Sequence, residues 1–260
     1  MKSRGIKILM SMGAAALVMG SVVVQASPED DRKAFQTYYV EKFPNTEFSD
    51  FNNGVYSISE SFREQWESIE EFPPYETFVE EGEEEWNKPF KNGKGYSSCF
   101  GDNVSAIRPE YPRWDAQREQ VVTLEGELNR CRTDNGEKAL KWKRGKLAHL
   151  SAYISYEARG KKINVVIPDD PKALAAYEQG KHFFYAKRGQ LNLACADCHV
   201  YQSGQHVRRE LLSPGLGQAS GWPVSLNQAM VWELCTAATV VVISRYVQSH
   251  SKHRVSSIGI

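Results

Sequence analysis

The 260-residue chain has no net charge, with 32 Lys and Arg set against 32 Asp and Glu, so the balance gives no sign of nucleic acid as a partner. Strand signal is scarce. Methionine is nearly missing: beyond residue 26 only Met230 remains. Cysteine is limited to Cys99, Cys131, Cys195, Cys198 and Cys235, and only one Cys-x-x-Cys pair occurs among them. A zinc knuckle at that spacing needs a second ligand pair further on, and none follows. A thioredoxin-like dithiol needs a neighbouring βαβ pattern, which is missing too. What is present is 41% hydrophobic and 11% aromatic residues, enough for a globular chain with a core.

The opening segment "MKSRGIKILMSMGAAALVMGSVVVQAS" places Lys2, Arg4 and Lys7 before an apolar run and Val24-Gln25-Ala26 before Ser27. That order is the order of a secretory signal peptide, so residues 1–26 are expected to be removed. The alternative is an uncleaved anchor, but the run is too short and too broken by glycine to favour a membrane span. A mature chain starting near Ser27 lies outside the cytoplasm, in the periplasm of a bacterium. There Cys99 and Cys131 can pair, and the odd cysteine count leaves at least one for another purpose.

Residues 27–54 read as a polar, aromatic-bearing stretch. "ESFREQWESIEEF" has helical spacing at Phe62, Trp66 and Ile69, stopped by Pro73-Pro74. The acidic and then Gly-rich stretch up to Cys99 reads as loop. A helix is expected with Leu124, Leu128 and Cys131 on one face, ended by Asn135-Gly136. Another follows with Leu147, Leu150, Tyr153 and Ile154 inward. "PDDP" at 168–171 marks a linker, and the next helix can be capped by Asp169 or Asp170 with Pro171 in its first turn. Leu174, Tyr177 and Phe184 fall near one of its faces. The expectation is a mainly α chain of two units, 27–165 and 166–260.

"ACADCHV", residues 194–200, carries the chemistry. Cys195-x-x-Cys198-His199 is the attachment signature for c-type haem. Two thioethers fix the porphyrin edges and the adjacent histidine is delivered to the iron as proximal ligand. A helix upstream, a loop downstream and an exported chain all suit it. Met230, His182, His206, His250 and His253 are candidates for the other axial position, and each alone is an ordinary surface or core residue as readily as a ligand.

Four stretches together resemble the SoxA subunit of the SoxAX cytochrome: "YPRWDAQREQVVTLEGELNRCR", "GKLAHLSAYISYEARGKKINV", "YEQGKHFFYAKRGQLNLACADCHV" and "LLSPGLGQASGWPV". The resemblance implies two cytochrome c-like domains, the second binding haem c. Dihaem members carry a Cys-x-x-Cys-His in the first domain as well. Here Tyr96 stands at its first cysteine and Phe100 at its histidine, so the chain resembles the single-haem subclass, in which Cys99 would pair with Cys131. Two unpaired thiols are the alternative. The implied activity is oxidative joining of thiosulfate to a cysteine of a SoxYZ-type carrier. A small SoxX-like cytochrome c is the partner in a heterodimer, and electrons leave through haem. Arg208 and Arg209 could attract the thiosulfate dianion, or be two solvated surface arginines.

The family's distal ligand is a cysteine persulfide in a motif like His-Arg-Arg-Tyr-x-x-Cys shortly after "WPV". This sequence lacks it, and Cys235 stands near the place with the wrong neighbours, so no catalytic residue is identifiable. A plain electron-carrying cytochrome c and an inactive structural partner therefore remain competing readings. The genetic code offers an explanation. One codon choice for residues 230–250, read two bases later, spells GLGTLHRRYSGCNKQVRAEP without a stop. The ligand cysteine then spans the codons of Val241 and Val242. The expectation is a frameshift between about Val224 and Val231, with residues after about 230 aberrant.

Overall fold

The computed structural model describes residues 26–142, 145–161 and 163–216. Helix α1, Pro28–Lys42, starts on a reciprocal cap. The Ser27 hydroxyl accepts from the Asp30 amide while the Asp30 carboxylate accepts from the Ser27 amide, and Pro28 sits where no amide is needed. It buries Phe35 and Tyr39. A 3-10 segment, Phe48–Ser57, follows and buries Phe51 and Val55. Helix α2, Glu60–Glu70, buries nothing, and Ile69 is 53% exposed although its spacing is helical.

Helices α3 (Glu76–Asn87), α4 (Ser97–Phe100), α5 (Leu124–Asp134) and α6 (Lys146–Glu157) build a first core from Trp86, Phe90, Tyr96, Leu124, Leu128, Leu147, Leu150 and Ile154. The α3–α6 crossing depends on Gly82. A Cβ there would meet the His149 carbonyl oxygen at 2.1 Å, so only hydrogen lets the two backbones approach this closely. Next to it Glu85 is buried, and two cations answer it: Arg132 Nη1 at 3.0 Å and Lys146 Nζ at 2.7 Å. A small antiparallel hairpin, β1 (Arg113–Asp115) and β2 (Gln120–Val122), pairs Arg113 with Val122 and Asp115 with Gln120. Cys99 and Cys131 are joined in a disulfide, with Cα atoms 6.1 Å apart, that ties α4 to α5.

Helix α7, Pro171–Tyr185, opens on Asp170, whose carboxylate accepts from the Lys172 and Ala173 amides at 2.7 and 3.1 Å. Its Tyr177 and Phe184 join Phe35, Tyr39, Phe51, Val165, Ala196, Val200 and Leu216 in a second core. Strands β3 (His206–Val207) and β4 (Glu210–Leu211) form a two-rung hairpin beyond it.

The polar opening stretch, to which the sequence assigned no element, is a helix because its cap is a Ser-Pro-Glu-Asp box and Phe35 and Tyr39 share a face. Two expectations change. The acidic stretch read as loop contains α3, whose glycine is a contact point and not a break. Residues 35–51, placed in the first unit by chain order, contribute side chains to the second core, as does Val165 at the end of that unit.

Candidate functional site

After α7 the chain turns back through a loop closed at Arg188 and Leu193, which exchange backbone hydrogen bonds at 3.1 and 3.2 Å. The Asp197 carboxylate then accepts from the Ala194 amide at 2.7 Å, fixing the entrance to the next turn. That turn, Asp197–Tyr201, is a single wide π-helical turn, closed by the Gln202 amide on the Asp197 carbonyl at 2.9 Å. Ala196 and Val200, four residues apart, face the second core and are buried. Cys195, Cys198 and His199 are left more open, Cys195 and Cys198 half-buried. Apolar anchoring thus presents the Cys198 sulfur and the His199 imidazole from this turn, with the Cys195 sulfur two residues before it.

His199 has an open surface, yet the protein around it is dense enough that burial pushes its imidazolium below the usual histidine range. Nδ1 lies 3.3 Å from the Ser213 carbonyl oxygen. The tautomer that donates there keeps its proton on Nδ1 and leaves the Nε2 lone pair for a metal. Burial also raises the Cys198 thiol, and the neighbouring Asp197 and Cys195 add to the shift. Arg188 approaches the Cys195 sulfur at 3.7 Å. A neutral imidazole beside two cysteines is the donor set that a covalently attached haem requires, so the residues fit that group. Among the described residues, no group of three or more His, Cys, Asp or Glu side chains could hold a bare metal ion.

The other residues singled out in the sequence are dispersed. Cys99 is exposed and Cys131 buried, in the first core. Where the family's first haem motif would be, Tyr96 is fully buried, stacked 5.4 Å from Trp86 and edge-on to Phe90, with Phe100 6.0 Å from Trp86. Aromatic rings fill this part of the core. Arg208 and Arg209 form the exposed tip of the β3–β4 hairpin. His182 and His206 are exposed. Met230, Cys235, His250, His253 and the shifted-frame stretch lie outside the described residues, as does the leader up to residue 25.

Sequence reasoning missed the helix behind the motif. Tyr39 donates to the His199 carbonyl and accepts from the Gly215 amide at 3.0 Å. Tyr38 donates to the Val200 carbonyl at 3.1 Å, and Lys42 reaches the Val200 and Tyr201 carbonyls at 2.8 and 3.0 Å. These partners are about 160 residues apart in the chain, and no local pattern signals them.

The family model for the SoxA/TsdA cytochrome c domain matches residues 81–163, the span of the first core. The L-cysteine S-thiosulfotransferase subunit SoxA of Allochromatium vinosum is 52% identical over 214 residues, covering 82% of this chain and 75% of its own. Its namesake from Chlorobaculum tepidum is 46% identical over 220 residues, covering 85% and 76%. The crystal structure of SoxXA from P. pantotrophus superposes with a TM-score of 0.54 at 26% identity, over 67% of this chain and 73% of that one.

Proposed function

The chain belongs to the SoxA family, and from that premise we propose that it is the haem-bearing subunit of a thiosulfate-oxidising cytochrome, an L-cysteine S-thiosulfotransferase. Haem c binding follows from the family. That there is one haem, held by Cys195 and Cys198 with His199 on the iron, is our reading. The observation that carries it is the turn that presents Cys198 and His199, with Cys195 two residues before it and His199 Nδ1 directed at the Ser213 carbonyl.

The reaction joins the outer sulfur of thiosulfate to a cysteine sulfur of a SoxYZ-type carrier. One S–S bond forms, the thiol loses one proton, and two electrons leave one at a time for an external oxidant. Bound haem supplies a one-electron acceptor of tunable potential. The protein's own residues hold that acceptor in place: Ala196 and Val200 seat the turn, and Ser213 fixes the imidazole tautomer. A SoxX-like cytochrome c completes the heterodimer, and the complex works in the periplasm. Among the described residues no helix is long and apolar enough to cross a membrane.

The test has two stages. Haem staining after denaturing electrophoresis should mark the chain, with one haem per polypeptide, and Cys198→Ala should abolish most of the stain. A colourless chain would end the haem reading. Reduction of the complex by thiosulfate that depends on the carrier then tests the activity. Reduction without any carrier would point to plain electron transfer.

A further inference from the structure

The histidine turn is held from behind by a helix far away in sequence. Tyr39 is fully buried, and its hydroxyl sits at a junction. It donates to the backbone carbonyl of His199 and accepts from the amide of Gly215. Gly215 follows Ser213 by two residues, and the Ser213 carbonyl is the atom facing His199 Nδ1. One hydroxyl therefore ties together the backbone of His199 and the loop that orients its ring. The space is tight: a Cβ on Gly215 would lie 3.0 Å from that hydroxyl and 3.1 Å from Phe35. One turn further along α1, Lys42 brings a positive charge onto the carbonyls of Val200 and Tyr201, the last residues of the same turn. The other end of α1 is fastened independently, because Asp31 accepts from Tyr177 at 2.8 Å and pairs with Lys181 at 2.5 Å on α7.

Resting on the haem reading above, we infer that Tyr39 is a positioning residue for the iron ligand His199 and that Lys42 holds a fixed positive charge beside it. The two act on the bound haem in opposite senses. A firm Nδ1–H···O=C bond makes the imidazole a stronger donor and favours the oxidised iron. Loosening it raises the reduction potential. A nearby cation favours the reduced iron, so removing it lowers the potential.

The test uses the full chain carrying covalent haem, in three variants. Tyr39→Phe keeps the ring and loses the hydroxyl. Lys42→Met keeps the stem and loses the charge. Tyr177→Phe removes a hydrogen bond from the same helix seam, away from the haem motif. Midpoint potential and the electron paramagnetic resonance of the ferric haem are the readouts. Tyr39→Phe should shift the potential upward by up to about 59 mV, a tenfold change for one electron. Lys42→Met should shift it downward. Tyr177→Phe should lower only the melting temperature. Unchanged potentials in the first two, or shifts of the same sign, would overturn the inference, because a merely loosened fold moves both alike. If Tyr39→Phe accumulates no haem-loaded protein, the Lys42→Met potential decides alone. If the unsubstituted chain takes up no haem at all, the haem reading itself has failed.

Discussion

Glu85 is a carboxylate in a place that only its partners make tolerable. It is buried against Trp86 and Gly82 on the inner face of α3, and Arg132 and Lys146 reach it from α5 and α6. Arg132 also donates to the Tyr96 hydroxyl at 3.2 Å, so the pair sits beside the aromatic stack that fills the first core. Removing Glu85 takes a carboxylate from Arg132, which keeps Glu137 at 3.6 Å, and from Lys146, whose side chain is 56% exposed. Glu85→Ala is therefore expected to cost about 1–3 kcal/mol, the worth of hydrogen bonds to a charged group, read as a loss in a denaturant titration. A cost below about 1 kcal/mol would show that the arginine finds water instead. Asp115 behaves differently. The hydrogen bonds from the Arg118 side chain and backbone bring its carboxyl down from 3.8 to about 2. A lowered folded value stabilises above the unfolded value, so this contribution is present above about pH 4 and fades as pH falls toward 2. Asp115→Asn should flatten the melting temperature against pH in that window alone. At this scale the Cys-x-x-Cys-His string on which the haem proposal rests could be read directly, because it is local. Tyr39 could not, because its role exists only through residues about 160 positions away.

Helix α5 was legible from its period and its Asn135-Gly136 stop, α6 from its period, and α7 from its period with Asp170 and Pro171 at its start. Helix α3 was not. Its Gly82 and its run of glutamates read as a break, whereas glycine there serves the crossing with α6, and the glutamates other than buried Glu85 face water. Gly82→Ala should destabilise by at least about 1–3 kcal/mol, since the obstructing atom is backbone and cannot swing away. Wild-type stability in that variant would mean that the helices separate freely. Helix α2 shows the opposite error: correct period, no burial, with Ile69 open to solvent and Phe72 just beyond it 88% exposed. Spacing specifies a face, not what covers it. The Cys99–Cys131 link closes a loop with a separation of 32 residues. Reduction should lower stability by roughly 3–4 kcal/mol in the chain-entropy account. Since Cys99 is exposed, a mild reductant should suffice without unfolding. Denaturation midpoints with and without reductant measure the effect.

The two cores are not two consecutive halves of the chain. The first runs from residue 86 to 154, while the second takes Phe35 to Phe51 from one end and Val165 to Leu216 from the other. Sequence order could suggest the linker at 168–171, but not that the opening helix passes the first unit and docks beneath the haem motif. That closure makes the Cys-x-x-Cys-His region depend on α1 as well as on residues 165–216. In the given frame the tail beyond residue 216 supplies Cys235 without the family's surroundings. Read two bases later, codons permitted for residues 230–250 spell HRRYSGC, with the cysteine across Val241 and Val242. The freedom of codon choice lies mainly in third positions, so the length of the run argues against chance. Sequencing the gene should find codons that spell this motif; codons that do not would dispose of the frameshift. If they do, the chain as written should attach haem at Cys195 and Cys198 but fail to conjugate thiosulfate to a SoxYZ-type carrier. The same gene with its frame restored should conjugate it. Equal activity in both would mean that the shifted cysteine has no part in the reaction, and that the sulfur chemistry resides elsewhere in the complex.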